Sequence, residues 1–163
     1  MKYVLYEILA NLSFAVLTPY FILKMLTVRK YRHGIPERLG FIQDEKLGRL
    51  KPGPVIWIHA VSVGETKAVI PLLRLIKERR PETKILFSTI TKTGNDVAKK
   101  ECAGLMDSLI YFPLDLSWAV GRVIRQIRPS LFIVVEKEVW PNTYRGLHDE
   151  GVPIIVVNGT ISD

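Results

Sequence analysis

The fold is decided by a short apolar run that leads directly into a polar turn, Trp57-Ile58-His59-Ala60-Val61-Ser62-Val63-Gly64-Glu65-Thr66. The run is typical of a buried strand, and the glycine and acid after it are typical of a strand-to-helix turn. Ligands of open α/β sheets bind at this end of the strands, so Glu65 is the first candidate for chemistry. The alternative is that Glu65 only offsets the positive end of a helix dipole.

From this stretch to the end of the chain, short apolar runs alternate with amphipathic helical segments. This alternation predicts a parallel sheet with helices on both faces. The predicted strands are Val55 to His59, Lys84 to Ile90, Ser108 to Phe112, Leu131 to Val135 and Pro153 to Val157. The predicted helices are Glu65 to Arg80, Gly94 to Ala103, Ser117 to Arg128 and Trp140 to Glu150. Pro71 predicts a kink or a displaced start in the first of these helices.

The N-terminal segment is apolar and precedes a cluster of basic residues. Residues 8–23 carry no charge, and Glu7 interrupts the apolar pattern before them. This length is slightly short for a bilayer span of about 20 residues, so a spanning helix, a shallow interfacial helix and a buried core helix all stay open. The basic residues predict that the rest of the chain is cytoplasmic; they are Lys24, Arg29, Lys30, Arg32 and Arg38. We expect an apolar helix over 1–27, a basic connection over 28–54 and an α/β domain over 55–163.

Composition narrows the class of protein. The chain has 163 residues, of which 48% are hydrophobic, as expected for one domain with an apolar extension. Its net charge of +7 lies mainly after the apolar segment, which favours an anionic lipid surface or a phosphorylated ligand over nucleic acid. Cys102 is the single cysteine, and no cluster of His, Cys and Asp has metal-ligand spacing. The three histidines are expected to be structural or surface residues.

Polar residues follow all five predicted strands. Parallel strands share one polarity, so these residues project from one edge of the sheet and can converge on a cleft. They are Glu65 after the first strand; Thr89, Thr91, Thr93 and Gly94 after the second; Pro113 and Asp115 after the third; Glu136 and Glu138 after the fourth; and Asn158-Gly159 after the fifth. Each also has a structural alternative, because Thr91, Thr93 and Asp115 can cap helices and Asn158 can occupy a turn.

Glu136 and Glu138 share one face if the strand continues through Lys137, because side chains two apart on a strand point the same way. Glu65 is the better general base, since it lies on a turn where it can approach a hydroxyl. The alternative for Glu136 is a strand-end acid paired with a neighbouring base.

These motifs together resemble the Kdo transferases, bacterial enzymes that add 3-deoxy-D-manno-oct-2-ulosonic acid to a lipid A precursor. The resemblance runs from the N-terminal apolar segment to the end of the chain. The matching elements are Tyr31-Arg32 with Pro36-Glu37-Arg38-Leu39-Gly40-Phe41, His59-Ala60-Val61-Ser62-Val63-Gly64-Glu65, Thr89-Ile90-Thr91-Lys92-Thr93-Gly94, Pro113-Leu114-Asp115, and Glu136-Lys137-Glu138-Val139-Trp140-Pro141-Asn142. Their order and spacing make the resemblance more specific than any single motif.

The resemblance implies a glycosyltransferase B arrangement of two Rossmann-like domains at the cytoplasmic side of the bacterial inner membrane. It implies a CMP-Kdo donor, a lipid A precursor as acceptor, contact with anionic inner-membrane lipids, and no cofactor or metal. Glu65 would be the general base of an inverting transfer, Glu136 would stabilise the charged transition state, and Glu138 would organise the site. Residues expected to bind substrate are Ser62, Gly64, Thr91, Thr93, Gly94, Asp115, Glu138, Asn142 and Asn158. The donor-binding domain lies outside these residues, so we expect a fragment that is inactive alone.

The chain departs from the family pattern at Lys137, where Thr is frequent, at Val139, where Leu is frequent, and at Thr160, where Arg is common. A second hypothesis is a noncatalytic, membrane-tethered Rossmann-like module that binds phosphoglycolipid. A nucleotide-binding oxidoreductase is a weaker third, because the turn at Ser62-Val63-Gly64-Glu65 lacks the GxGxxG phosphate cradle.

Overall fold

The computed structural model describes residues 2–28, 33–136 and 138–158. Its centre is a parallel sheet of five strands in the order β3-β2-β1-β4-β5. The strands are β1 Val55–His59, β2 Lys84–Thr89, β3 Ser108–Tyr111, β4 Leu131–Val135 and β5 Ile154–Val157. The predicted parallel α/β fold is therefore confirmed, with boundaries shifted by one residue in β2, β3 and β5.

Eight helices lie among the described residues. They are α1 Lys2–Thr27, α2 Ile35–Arg38, α3 Asp44–Gly48, α4 Val63–Ala68, α5 Ile70–Arg79, α6 Lys92–Glu101, α7 Ser117–Ile127 and α8 Pro141–Asp149. Two apolar clusters cover the two faces of the sheet: α7 and α8 pack on one face, and α5 and α6 on the other. Trp57, Phe87 and Phe132 are fully buried. Burial of each such side chain contributes about 1.5–3 kcal/mol relative to exposure.

The helix predicted over Glu65 to Arg80 is two helices. Pro71 lies in the first turn of α5, where its missing N–H leaves no helical hydrogen bond unmade. The predicted displaced start is thus confirmed, and Val69 connects the two pieces.

The short helices α2 and α3 cover the β3 edge of the sheet. Glu37 is buried, and its carboxylate accepts hydrogen bonds from Tyr111 N (2.7 Å) and from the Lys46 ammonium group. Gly34 precedes α2 with a φ of 69°, and a Cβ there would overlap the Tyr111 ring. Only glycine fits this close approach.

The N-terminal helix α1 is long and apolar enough over Tyr3–Lys24 to cross a membrane, and that window is not buried against the rest of the chain. By length and composition alone this is weak support for a membrane role. Its first half touches the α/β domain through Tyr3, Tyr6 and Phe14. The second half bears exposed apolar side chains.

Candidate functional site

The strand order reverses between β1 and β4, which are neighbours in the sheet but distant in the sequence. The chain leaves β1 towards the α5 and α6 face and leaves β4 towards the α7 and α8 face. Connections that diverge in this way open a crevice at the carboxyl ends of the two strands, where ligands of such sheets bind. Glu65 follows β1, and Glu136 and Glu138 follow β4, so the three predicted acids flank this crevice.

Glu65 lies in the first turn of α4 and is 5% exposed. Its Oε2 accepts a hydrogen bond from Val61 N (2.7 Å), and its own N–H donates to Oγ of Ser62, the residue that caps the helix (3.2 Å). This reciprocal arrangement resembles a capping box, so the predicted structural role at the helix start is also present. Among the described residues, Oε1 of Glu65 has no hydrogen-bond donor, which leaves it able to accept one from a ligand.

Glu136 does not continue the strand. β4 ends at Val135, and Glu136 is exposed with a φ of 64°, in the left-handed region that non-glycine residues rarely adopt. The condition for Glu136 and Glu138 to share a strand face is therefore not met. Glu136 N donates to Val157 O (2.8 Å), which fixes this turn against β5.

Glu138 nevertheless lies within electrostatic reach of both other acids. Partial burial raises the pKa of its carboxyl group, and the negative charges of Glu65 and Glu136 raise that pKa further. Its backbone carbonyl accepts a hydrogen bond from the Tyr144 hydroxyl of α8. We call Glu65, Glu136 and Glu138 the acidic cluster: the first lies in the first turn of α4, the other two follow β4, and Glu65 and Glu136 both act electrostatically on Glu138.

The turn after β2 packs directly on the turn that carries Glu65. Thr91 caps α6 by accepting from Gly94 N (3.0 Å), and its hydroxyl lies 3.4 Å from Val61 O. A Cβ on Gly94 would lie 2.9 Å from the Thr91 hydroxyl, so this approach favours glycine. Thr93 is exposed, and its hydroxyl contacts Thr91 Oγ1 at 3.3 Å.

Asp115 and Asn142 form a second polar group rather than joining the acids. Asp115 accepts from the backbone N–H groups of Asn142 (3.0 Å) and Thr143 (2.8 Å), so it caps α8. Its remaining bonds go to the Thr143 hydroxyl and to the Tyr6 hydroxyl of α1. Asn142 donates to Asp115 O and accepts from the Tyr3 hydroxyl. Their predicted contacts with substrate stay predictions, although these polar atoms already have partners within the chain.

Gly64 and Asn158 are the remaining predicted substrate-binding residues. Gly64 lies inside α4 rather than in a glycine-dependent turn, and a Cβ there would meet only Ser62 Oγ at 3.8 Å. Asn158 follows β5 with a φ of 56° at the same edge as Glu136. Lys137 and Thr160 lie outside the described residues.

The rings of His59, Phe112 and Trp140 pack together as an aromatic layer next to the segment that carries Glu138. The His59 ring stacks on Phe112 with a centroid distance of 3.8 Å, and Trp140 packs on Phe112 at 5.4 Å. Complete burial lowers the pKa of His59 to about 3, so its ring is neutral. This layer fixes the segment that carries Glu138, because Trp140 immediately precedes α8. The sequence predicts a structural or surface histidine here, but no local pattern in it indicates the stack.

Arg38, one of the basic residues that follow the apolar segment, lies in α2 at the edge of the α/β domain. Its guanidinium donates to Ile90 O and lies 4.9 Å from the Tyr111 ring centroid, beside the Thr91 turn. Burial lowers its pKa from the ordinary value. The positive charge of Arg38 therefore lies at the edge of the α/β domain. Its position depends on the packing of α2 against β3.

No group of three or more His, Cys, Asp or Glu side chains that could hold a metal ion occurs in residues 2–28, 33–136 and 138–158. A surface depression lined by Lys51, Gly53, Arg125 and Arg128 lies at the opposite, amino-terminal end of the sheet. It contains none of the acids.

The fold and the crevice define an open α/β domain, a class of domain whose ligands bind at the carboxyl ends of the strands. The family model described as 3-deoxy-D-manno-octulosonic-acid transferase (kdotransferase) matches residues 33–163. The chain belongs to this family, and it corresponds to the N-terminal part of its members.

Curated relatives agree with the family match. A 3-deoxy-D-manno-octulosonic acid transferase from Haemophilus influenzae is 37% identical over 135 residues, covering 82% of this chain and 30% of that protein. One from Chlamydophila psittaci is 32% identical over 158 residues, covering 97% of this chain and 36% of that protein. A probable mitochondrial 3-deoxy-D-manno-octulosonic acid transferase from Arabidopsis thaliana is 32% identical over 128 residues, with shares of 78% and 27%. The chain thus spans about a third of the length of these relatives.

Proposed function

We propose that this chain supplies the acceptor-binding half of a Kdo transferase that moves Kdo from CMP-Kdo to a lipid A precursor. The observation that carries the proposal is the acidic cluster of Glu65, Glu136 and Glu138 at the β1–β4 crevice of a chain that belongs to this family. The CMP-Kdo site lies mainly on a second domain outside these residues. The chain alone is therefore inactive in transfer.

In the proposed reaction, Glu65 is the general base. Its Oε1 takes the proton from an acceptor sugar hydroxyl while the hydroxyl oxygen bonds to the anomeric carbon of Kdo. The bond from that carbon to the CMP phosphate oxygen breaks on the opposite side, CMP leaves with the bonding electrons, and the configuration inverts. The Val61 N–H bond holds the carboxylate in place, which supports this assignment.

Glu136 and Glu138 have supporting roles. Glu136 is exposed at the crevice and stabilises the positive charge that develops on the Kdo ring. Glu138 organises the acidic cluster through its proximity to both other carboxylates. The Thr91–Gly94 turn, together with Ser62, Gly64 and Asn158, contacts the acceptor, while Asp115 and Asn142 support the start of α8.

The proposal includes the setting of the reaction. The lipid acceptor lies in the cytoplasmic leaflet of the bacterial inner membrane, and the apolar helix and the basic residues after it contact the anionic lipids there.

The sharpest test replaces Glu65 in the full-length protein. Glu65→Gln keeps an oxygen that can accept from Val61 N but removes the basic carboxylate, so the fold is retained while transfer falls. We expect kcat for Kdo transfer from CMP-Kdo to fall by about 10²–10⁴-fold, and Glu65→Ala to behave similarly. Glu150→Gln, at an exposed position after α8, is the matched control.

Two results would argue against the proposal. Normal turnover by Glu65→Gln would remove Glu65 from the role of base. Binding of the acceptor by the unchanged full-length protein, without any transfer from CMP-Kdo, would favour the noncatalytic phosphoglycolipid-binding module.

A further inference from the structure

The first half of α1 is attached to the α/β domain by specific polar contacts. The Tyr6 hydroxyl donates to Asp115 Oδ2 (2.8 Å), the Tyr3 hydroxyl donates to Asn142 Oδ1, and the Ser117 hydroxyl donates to Glu7 Oε1. We call these six residues the polar latch. Two aromatic contacts extend it: Phe14 packs edge-on against Trp118 at 6.0 Å, and the Arg145 guanidinium lies 4.0 Å from the Tyr3 ring centroid.

The domain side of the polar latch is rigid. Asp115 and Asn142 are bonded to each other and to the first turn of α8, and Asn142 is 2% exposed. Glu7 lies at the first residue of α7, where the helix dipole favours a negative charge. The single acid that interrupts the apolar segment therefore has a partner on the domain.

Along its whole length, α1 also presents apolar side chains to solvent. Val16 and Leu23 are 67% and 63% exposed, and Leu5, Ile8, Leu12 and Phe21 are also exposed. An apolar surface of this extent on a soluble domain marks an interaction site. The segment continues in the sequence into Arg29, Lys30 and Arg32. Each basic residue near an anionic bilayer strengthens binding about fivefold.

A bilayer span does not fit these contacts. A spanning helix places its two ends on opposite sides of about 30 Å of hydrocarbon. Here the first turns of α1 are bound to the domain through the polar latch, and Gly34, which follows the helix after residues 28–33, packs on Tyr111 of the same domain. Gly34 is seven residues beyond Thr27, a stretch of chain that spans at most about 25 Å, so the C-terminal end of α1 cannot lie across the bilayer from the domain.

We infer that α1 lies in the plane of an anionic bilayer surface, with its exposed apolar side chains in the acyl boundary and the polar latch holding it against α7 and α8. The occupant of the exposed surface is lipid, because the surface is apolar and is followed by basic residues, the pattern of interfacial helices. The inference rests on the proposed function only for the identity of the membrane. The inference gives a role to Asp115 and Asn142, which belong to two of the sequence motifs. These residues orient α1 relative to α8, which begins next to the acidic cluster.

A cross-linking experiment on the full-length protein tests the arrangement. Phe14→Cys with Trp118→Cys, treated in native membranes with a short bifunctional thiol reagent, should give an intramolecular cross-link. Leu9→Cys with Trp118→Cys is the matched control, since Leu9 is 52% exposed and lies about 140° around the helix from Phe14. The single variants control for Cys102, which is buried. No cross-link from the first pair would overturn the inference, because residue 14 of a spanning helix lies deep in the bilayer.

Two further measurements identify what holds the helix and what covers it. Tyr3→Phe with Tyr6→Phe removes only the two hydroxyls, so the equilibrium constant for docking of α1 should fall about tenfold or more, as expected for two lost hydrogen bonds. The cross-link yield at short reaction times should fall with it. An unchanged yield would overturn the role of the polar latch. Vesicles of phosphatidylethanolamine and phosphatidylglycerol should bind the full-length protein, and failure to bind would indicate that a second copy or another part of the protein covers α1. Kdo transfer is assayed separately, so an active protein without the cross-link overturns this inference alone.

Discussion

At the end of β1, His59 is a buried ring whose neutral state is required by its surroundings. Its Nδ1 lies 3.0 Å from Ser88 Oγ and 3.2 Å from Ser88 O, and its other ring nitrogen has no partner among the described residues. Protonation would bury a charge between aromatic rings. The stability of the aromatic layer therefore depends on pH through the protonation of His59.

The first prediction is that His59 makes the protein sensitive to acid. Its pKa falls from 6.5 to about 3 on folding, so the unfolded chain takes up the proton first and stability falls as pH drops below 6.5. The loss is at most about 1.4 kcal/mol per pH unit. In urea unfolding between pH 7.5 and 4.5, His59→Gln should lower stability at pH 7.5 but flatten its decline with acid. His148→Gln, at an exposed position, should leave the slope unchanged, and an equal slope in the His59 variant would contradict the prediction.

The second prediction concerns Glu138. Its pKa is raised on folding by burial and by Glu65 and Glu136, so the folded state disfavours its ionised form. The cost is absent below the unfolded value near 4.5 and develops as pH rises through the folded pKa. Glu138→Gln should therefore raise the free energy of unfolding at pH 7.5, by less than about 1 kcal/mol since water screens the cluster. The gain should vanish near pH 4; a gain that is independent of pH would mean that charge is not its cause.

At the scale of elements, the turns at the crevice are held by helix caps. Thr91 closes α6 through Gly94 N and also contacts the Val61 carbonyl of the turn that carries Glu65. The position of one loop therefore depends on the cap of the next helix.

The third prediction compares the helix-capping residue Thr91 with the nearby Thr93 by their effects on the free energy of unfolding. Thr91→Ala should lower the free energy of unfolding by about 1 kcal/mol, the usual effect of losing a threonine cap. Thr93→Ala, two residues away and exposed, should cost much less because, within the described part of the chain, its hydroxyl bonds to Thr91 alone. Chemical denaturation of both variants measures the difference, and equal losses would show that the cap is not the cause.

For the whole molecule, the sequence predicted the sheet well and the tertiary contacts poorly. β1 and β4 have the predicted bounds because each is a continuous apolar run that a central strand requires. The helices α2 and α3 were not predicted, since four or five residues show no periodicity. The acids were placed at one edge by strand polarity alone, but the left-handed turn at Glu136 depends on pairing with β5, which no local pattern reports.

The bond between Tyr3 and Asn142 joins residues 139 positions apart. Synthesis at about 5–20 residues per second separates their appearance by roughly 7–28 s. For much of that interval the nascent α1 is outside the ribosome while α8 does not yet exist, so α1 cannot yet make this bond. Docking of α1 onto the α/β domain is consequently a late event that follows the synthesis of α8.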